Sequence, residues 1–130
     1  MTLEEAREFF IEDRYAMVTT GIKIDDIGEG YSVVSLDVDE RHLAAGNHVM
    51  GGAIYTMGDF AFAVASNTPE SLTMTTSSSI TYLGQPKDRH LIAKCQCIKN
   101  GRRTCYYETT VTDSLGNLVA KISSNGMHLS

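Results

Sequence analysis

The sequence predicts an α+β fold in which one antiparallel sheet wraps around one long central helix. One basis for this prediction is the segment from Gly51 to Asn67, which is apolar on nearly every side and therefore fits a buried helix. The other is the alternation of apolar and polar residues on both sides of that segment, which is typical of half-buried strands. A chain of 130 residues has the size of a single domain, so we expect residues 1–130 to form one.

A short amphipathic helix is predicted over residues 2–12. Thr2 and Glu5 have the spacing of a capping box, in which each side chain bonds to the backbone N–H of the other residue. The apolar residues that follow recur at helical spacing and are Leu3, Ala6, Phe9 and Phe10. Residues 15–21 are either a connection or a continuation of this helix.

Six strands are expected where the hydrophobic period is two. They are residues 22–25, 31–38, 72–83, 89–99, 102–113 and 117–128. Turn-rich residues 26–30 separate the first two, and Asn100-Gly101 is a strong hairpin signal. The breaks after the long helix are too short for crossover helices, so the last four strands should form an antiparallel meander.

The charge of the chain bears on the kinds of partner it can bind. The net charge is −5, which argues against a nucleic-acid-binding protein. Residues 1–40 hold eleven acidic and three basic side chains, whereas residues 41–130 hold five acidic and eight basic ones. The second part could therefore accept a small anionic ligand, although ordinary surface charge explains the same counts.

The cysteines and the N-terminus indicate a cytoplasmic protein with no membrane partner. The three cysteines, Cys95, Cys97 and Cys105, are odd in number and lack the spacing of a zinc site, which fits a reducing compartment. The N-terminal residues are acidic and amphipathic, unlike a secretory signal. No apolar run reaches the ~20 residues of a membrane span. The histidines show no metal-ligand spacing, so no metal is expected.

Asp59 is the one charged side chain between Gly51 and Asn67. A carboxylate among apolar neighbours costs several kcal/mol unless it is paired, hydrogen-bonded or hydrated. Asp59 therefore either caps or pairs with a nearby group, or takes part in the chemistry of the protein.

Two glycines, Gly51 and Gly52, stand at the start of the same helix. Each costs about 1 kcal/mol relative to alanine in a helix, which indicates that another group approaches the backbone closely there. The alternative is a tight turn into the helix. The free N–H groups and the positive dipole end of a helix start suit a carbonyl oxygen that becomes an oxyanion.

The separation between Gly51 and Asp59 predicts a dimer. The two residues are eight positions apart, or roughly 12 Å along one helix. A reacting carbonyl needs its oxyanion donor and its base or nucleophile each within about 3 Å. One helix cannot supply both groups, whereas two antiparallel copies related by a two-fold axis could. We therefore expect a homodimer with two equivalent sites at its interface.

The segment from Met50 to Asn67 resembles the signature of the hotdog-fold acyl-CoA thioesterases, and in particular their phenylacetate-degradation subgroup. That signature is His-Gly-Gly, an apolar helix with Leu-Ala-Asp, and a terminal Asn. Further likeness covers about residues 30–125 and lies in Ile80-Thr81-Tyr82-Leu83 with Pro86, in Gly101-Arg102-Arg103 and in Gly116-Asn117-Leu118-Val119-Ala120.

The resemblance implies a hotdog fold and the hydrolysis of an acyl-CoA, or another acyl thioester, to a free acid and a thiol. Asp59 matches the family's catalytic carboxylate, which acts as nucleophile or as general base toward water. Gly51 matches the backbone N–H that polarises the thioester carbonyl from the other subunit. The substrate-binding positions implied are Met50, Gly52, Asn67, Thr75, Arg102 and Arg103.

Among these positions, Thr75 would help to place the attacking water, and the two arginines would meet the phosphates of coenzyme A. The family forms dimers, often pairs of dimers. Coenzyme A enters as part of the substrate, and no separate cofactor is implied.

Two positions depart from the family pattern. Met50 stands where the family has a histidine, and Ala44 stands where many members have an asparagine, unless Asn47 replaces it. These replacements make a non-catalytic acyl-CoA-binding protein of the same fold the alternative function. A hydratase of this fold ranks last, because the helix holds no histidine to accompany Asp59. His48 is interpreted as a loop residue.

Overall fold

The computed structural model describes residues 1–129. Its helical segments are α1 (Leu3–Phe10), a π-helix (Tyr15–Thr20), a 3-10 turn (Glu40–His42) and the long helix α2 (Gly51–Ser66). Its strands are β1 (Lys23–Gly28), β2 (Tyr31–Asp37), β3 (Thr73–Tyr82), β4 (His90–Asn100), β5 (Thr104–Asp113) and β6 (Leu118–His128). The predicted bounds hold to within two residues except at the end of β1, where the strand continues through a bulge to Gly28.

The six strands within the described residues form one antiparallel sheet in the order β1-β2-β4-β5-β6-β3. An antiparallel sheet packed against a long helix was predicted, and the structure confirms it. The predicted four-strand meander is wrong in part, because β3 pairs with β6 at the far edge of the sheet and not with β4. Instead β4 pairs with β2, whose edge would otherwise have no partner on that side.

The predicted capping box is present at the start of α1. The Glu5 N–H donates to the Thr2 hydroxyl at 3.1 Å, and the Thr2 N–H donates to the Glu5 carboxylate at 2.8 Å. The Arg7 guanidinium donates to the Ile24 carbonyl at 2.8 and 3.1 Å and so ties α1 to β1. The chain then enters the π-helix, which ends at Gly21 with a left-handed φ of 86°.

Helix α2 lies on the inner face of the sheet, mainly against β2, β4 and β5. The Phe62 ring meets the edge of the Tyr107 ring at a centroid distance of 5.1 Å. The buried Ser32 hydroxyl donates to the Ala61 carbonyl at 2.6 Å and fixes the helix against β2. The buried residues of the helix are Ile54, Met57, Gly58, Phe60, Ala61, Phe62, Val64 and Ala65.

One stripe of α2, called the uncovered stripe below, does not meet the sheet and is only partly covered within residues 1–129. It consists of Gly52, Tyr55, Thr56, Asp59 and Ala63, which recur at helical spacing and are exposed or half-buried. The helix is buried on its sheet side, as expected of a central helix, whereas this stripe remains exposed or half-buried in the single protomer. Apolar residues of the helix lie on the side that meets the sheet and also on this stripe, which faces away from the sheet.

Gly58 is required where α2 meets β6, because a Cβ at this position would collide with the Cδ1 methyl of Ile122. We expect Gly58→Ala to lower the free energy of unfolding by about 1–3 kcal/mol through overpacking, although alanine is the better helix former. Urea denaturation measures the change. Adding Ile122→Val, which removes the colliding methyl, should restore part of the loss.

Gly52→Ala is the matched control, because that glycine lies on the uncovered stripe and an added Cβ would meet the Met50 side chain at an ordinary 3.7 Å. It should be neutral or stabilise the protein by up to about 1 kcal/mol. Equal effects of the two alanine substitutions would contradict the packing described for Gly58.

Candidate active site

The loop before α2 is held in place by a buried histidine. His42 is 3% exposed, and its Nδ1 accepts the Asp39 N–H at 2.9 Å while its Nε2 donates to the Thr20 carbonyl at 2.7 Å. The Met50 N–H donates to the His42 carbonyl at 2.8 Å. These bonds connect the end of the π-helix to the first turn of α2. Sequence analysis assigned His42 no such role, since a lone histidine carries no spacing signal.

The start of α2 presents two free amide groups. The Met50 carbonyl accepts the N–H groups of Ala53 and Ile54 at 3.0 and 3.3 Å, whereas those of Gly51 and Gly52 have no acceptor among residues 1–129. The Met50 side chain does not cap the helix and is 54% exposed. The positive end of the helix therefore offers two donors to a ligand.

Tyr82 explains one of the two glycines. Its hydroxyl donates to the Gly51 carbonyl at 2.8 Å, and a Cβ on Gly51 would lie 2.9 Å from the same hydroxyl oxygen. The close approach expected from the sequence is thus present at Gly51. A Cβ on Gly52 would make only an ordinary contact with the Met50 side chain, at 3.7 Å, so packing gives no reason for a glycine there.

Asp59 lines a cavity of about 290 Å³ between α2 and residues 13–16. Its carboxylate makes no hydrogen bond or ion pair with any of residues 1–129, so the structure gives no support to the capping or pairing interpretation. Partial enclosure by protein raises the pKa of Asp59 above its ordinary value, and the nearby negative charge of Asp13 raises it further. The carboxylate is exposed on the uncovered stripe in the single chain.

One chain does not bring Gly51 and Asp59 together. Both lie on α2, eight residues apart, which corresponds to roughly 12 Å of helix. Gly51 does not line the cavity that contains Asp59. The spacing argument made from the sequence therefore holds for the folded protomer.

Asn67 has a structural role at the end of α2. Its side-chain amide donates to the Ala63 carbonyl at 2.9 Å, and its side-chain oxygen accepts the Thr73 N–H at 2.7 Å. It thus ends the helix and fixes the start of β3. Thr75, predicted to bind substrate, is exposed on β3 opposite Gly126.

Arg102 and Arg103 are exposed in the turn between β4 and β5, at the opposite end of α2 from Gly51. A series of hydrogen bonds joins this turn to the helix end. His128 contacts the Asn100 side chain at 2.8 Å and the Thr73 hydroxyl at 3.2 Å, and that hydroxyl donates to the carbonyl of the last helical residue at 3.1 Å. The two arginines are therefore far from Gly51 of their own chain.

A second cavity, of about 460 Å³, adjoins the arginine-bearing turn. Lys99 lines it together with hydroxyl and amide groups, among them Thr76, Tyr106 and Asn125. Sequence analysis missed Lys99, although three basic residues between positions 99 and 103 were the available signal.

Within residues 1–129, no three histidine, cysteine, aspartate or glutamate side chains lie close enough to hold a metal ion. None of the helices in that same part of the chain is long and apolar enough to cross a membrane.

Comparison with known proteins identifies the family. Residues 46–120 match the family model of the thioesterase superfamily, which is more than half of the chain. The protein therefore belongs to the thioesterase superfamily, and its fold is the hotdog fold expected from the resemblance. A curated relative from Archaeoglobus fulgidus, named "Putative esterase", is 29% identical over 119 residues, which cover 91% of this chain and 77% of that protein.

Solved structures share the fold of this chain. The PaaI protein from the phenylacetic acid degradation operon of E. coli has a TM-score of 0.89 at 22% identity and covers 100% of this chain and 97% of its own. A "Hypothetical Thioesterase Protein" from Streptococcus pneumoniae, solved with coenzyme A, has a TM-score of 0.85 at 22% identity and covers 93% of this chain and 97% of its own. A variant of PaaI from Thermus thermophilus has a TM-score of 0.79 at 28% identity, covering 85% and 96%.

Asn67→Ala tests the structural role of this residue. The Thr73 N–H would lose its acceptor, so we expect the free energy of unfolding to fall by about 1–3 kcal/mol. Thr75→Ala is the control, because the Thr75 side chain makes no hydrogen bond within residues 1–129, and it should change stability by less than about 0.5 kcal/mol. If thermal or urea unfolding showed Asn67→Ala and Thr75→Ala to be equally as stable as the wild type, the structural role of Asn67 would be contradicted.

Proposed function

We propose that the protein hydrolyses an acyl-CoA, or another acyl thioester, to the free acid and the thiol, at two equivalent sites in a homodimer. The observation that carries this proposal is the Asp59 carboxylate, which is unpaired among residues 1–129, on a helix whose first turn presents two N–H groups with no acceptor in the same part of the chain. Membership of the thioesterase superfamily supports the reaction class.

Two surfaces of the protomer support the dimer. The uncovered stripe of α2 includes the half-buried Tyr55 and Ala63 and leaves a mostly uncharged helix face against solvent. Strand β3 pairs with β6 along one side, and its other side is a free edge within the described residues. A free edge strand is a ready template for pairing with another chain. A two-fold axis that runs beside the uncovered stripe and the free edge of β3 would place the α2 helices of two protomers antiparallel.

In such a dimer, Gly51 of one protomer lies beside Asp59 of its partner. The Gly51 N–H donates to the thioester carbonyl oxygen and stabilises the negative charge that forms there. Asp59 takes a proton from water, whose oxygen attacks the carbonyl carbon. The tetrahedral intermediate then collapses, the C–S bond breaks, and the leaving thiolate recovers the proton from Asp59.

The raised pKa of Asp59 favours this role of general base, because a stronger proton acceptor activates water better. Direct attack by the carboxylate, which would form an anhydride that water then hydrolyses, is the alternative route.

The antiparallel arrangement also assigns a place to the coenzyme A moiety. Hydrogen bonds through His128 and Thr73 hold the β4–β5 turn of one protomer at the end of its α2. In the proposed dimer the partner's α2 begins there. Arg102, Arg103 and Lys99 could therefore contact the phosphates of coenzyme A while the thioester reaches Gly51 and Asp59. Thr75 is proposed to help place the attacking water, and Met50 and Gly52 flank the thioester. Pairing of dimers and the cytoplasmic location remain predictions.

A binding protein without turnover is the second candidate. Met50 favours it, because an exposed thioether at the helix start has no N–H or O–H to donate to the substrate. Calorimetry with a non-hydrolysable acyl-CoA analogue measures binding separately from hydrolysis.

Asp59→Asn should lower kcat by about 10²-fold or more and leave KM largely unchanged, since the amide cannot accept a proton from water. Thiol release from short, long and aromatic acyl-CoAs measures this. Glu70→Gln, which removes an exposed acid outside the cavity, should retain wild-type rates. Binding without thiol release from any of these substrates would favour the binding protein and contradict hydrolysis.

Gly51→Pro deletes the proposed oxyanion donor. Gly51 is the first helical residue, where proline fits, and the extended backbone of Met50 suits the residue before a proline. Gly51→Ala is the matched control, because it adds a Cβ against Tyr82 but keeps the N–H. We expect proline to lower kcat about 10²-fold relative to alanine. Equal rates for the two variants would show that the Gly51 N–H does not stabilise the transition state.

A further inference from the structure

A second carboxylate, that of Asp13, lines the same cavity as Asp59. Sequence analysis assigned it no role. Its backbone is fixed on both sides, because its N–H donates to the Phe10 carbonyl and its carbonyl accepts the Met17 N–H, each at 2.9 Å. Its side chain makes no hydrogen bond or ion pair with any of residues 1–129. A carboxylate held at this position and left unpaired is available to act on its neighbour across the cavity.

Arg14 carries the one positive charge among the described residues that line the cavity. Beside Asp13, the wall opposite α2 carries Arg14 and Tyr15. The Arg14 guanidinium forms no ion pair with either carboxylate in the described part of the chain. Helix α2 contributes no other charged side chain, and its nearest titratable group is the half-buried Tyr55. The strands contribute no residue to the lining.

The two carboxyl groups differ in what raises their pKa. Partial burial raises the pKa of Asp13, whose side chain remains exposed to solvent. Enclosure also raises the pKa of Asp59, and the charge on Asp13 adds to that effect. Two carboxyl groups that share a site are harder to ionise together, because their negative charges repel. The group that keeps its proton to the higher pH is the better proton acceptor.

We propose that Asp13 is a positioning residue of the active site, which places a second negative charge in the cavity that holds Asp59. This inference rests on the proposed function, in which Asp59 takes a proton from water. Asp13 does not itself touch the reacting atoms. It acts through Asp59 by setting the pH at which that group ionises.

Asp13→Asn tests the proposal, because asparagine keeps the size of the side chain and removes its charge. Without the like charge, Asp59 should ionise at lower pH, so the acidic limb of the pH profile of kcat should shift to lower pH. Asp13→Glu retains the charge and should keep the limb close to that of the wild type. Glu12→Gln, which neutralises the adjacent acid outside the cavity, should leave the limb in place.

Carbon-13 NMR of the carboxyl groups gives a readout that does not depend on activity. The signal lost in Asp59→Asn identifies Asp59, and its titration midpoint should fall in Asp13→Asn. At about 1 M salt, where the Debye length is ~3 Å, the difference between wild type and Asp13→Asn should shrink.

The two measurements separate the two claims. Hydrolysis that depends on Asp59, combined with an unmoved midpoint in Asp13→Asn, would overturn the role of Asp13 alone. An equal shift in Glu12→Gln would also overturn it, because the effect would then belong to general surface charge. A shifted midpoint without hydrolysis of any acyl-CoA would support the coupling of the two carboxylates and contradict the proposed function.

Discussion

A single straight helix, α2, holds both the amide donors and the carboxylate that the proposed chemistry requires. Gly51 begins this helix and Asp59 lies two turns later, so the helical rise keeps them roughly 12 Å apart. No rotation of side chains can close this distance, because one of the groups is a backbone N–H. A second protomer is therefore the simplest source of the missing half of each site, and the proposed dimer follows from this constraint.

The fold holds α2 firmly while leaving one stripe of it open. Ser32 bonds to the Ala61 carbonyl on the sheet side, and Ile122 leaves room for no side chain at Gly58. Tyr82 bonds to the carbonyl of the first helical residue, and His42 orders the loop before it. None of these contacts involves a residue of the uncovered stripe, so they hold α2 in place and leave the stripe free to meet a partner.

The sequence predicted the elements of this fold more reliably than the contacts between them. The periodicity of apolar residues and the turn residues located α2 and five of the six strands closely, because both signals are local. They could not show that β3 pairs with β6, since strand periodicity does not specify a partner. Asp59 was found because a charge stands out in an apolar helix. Asp13 lies in an ordinary acidic stretch, and its place in the cavity depends on the π-helix that follows it.

A mixed dimer tests the shared site most directly. One chain would carry Asp59→Asn and the other Gly51→Pro, so that a mixed dimer holds one intact site and one doubly impaired site if each site joins two protomers. Random mixing of the two inactive variants should then restore about a quarter of the wild-type activity. Activity that stays at the level of the separate variants, in a sample shown by mass spectrometry to contain mixed dimers, would contradict a site shared between protomers.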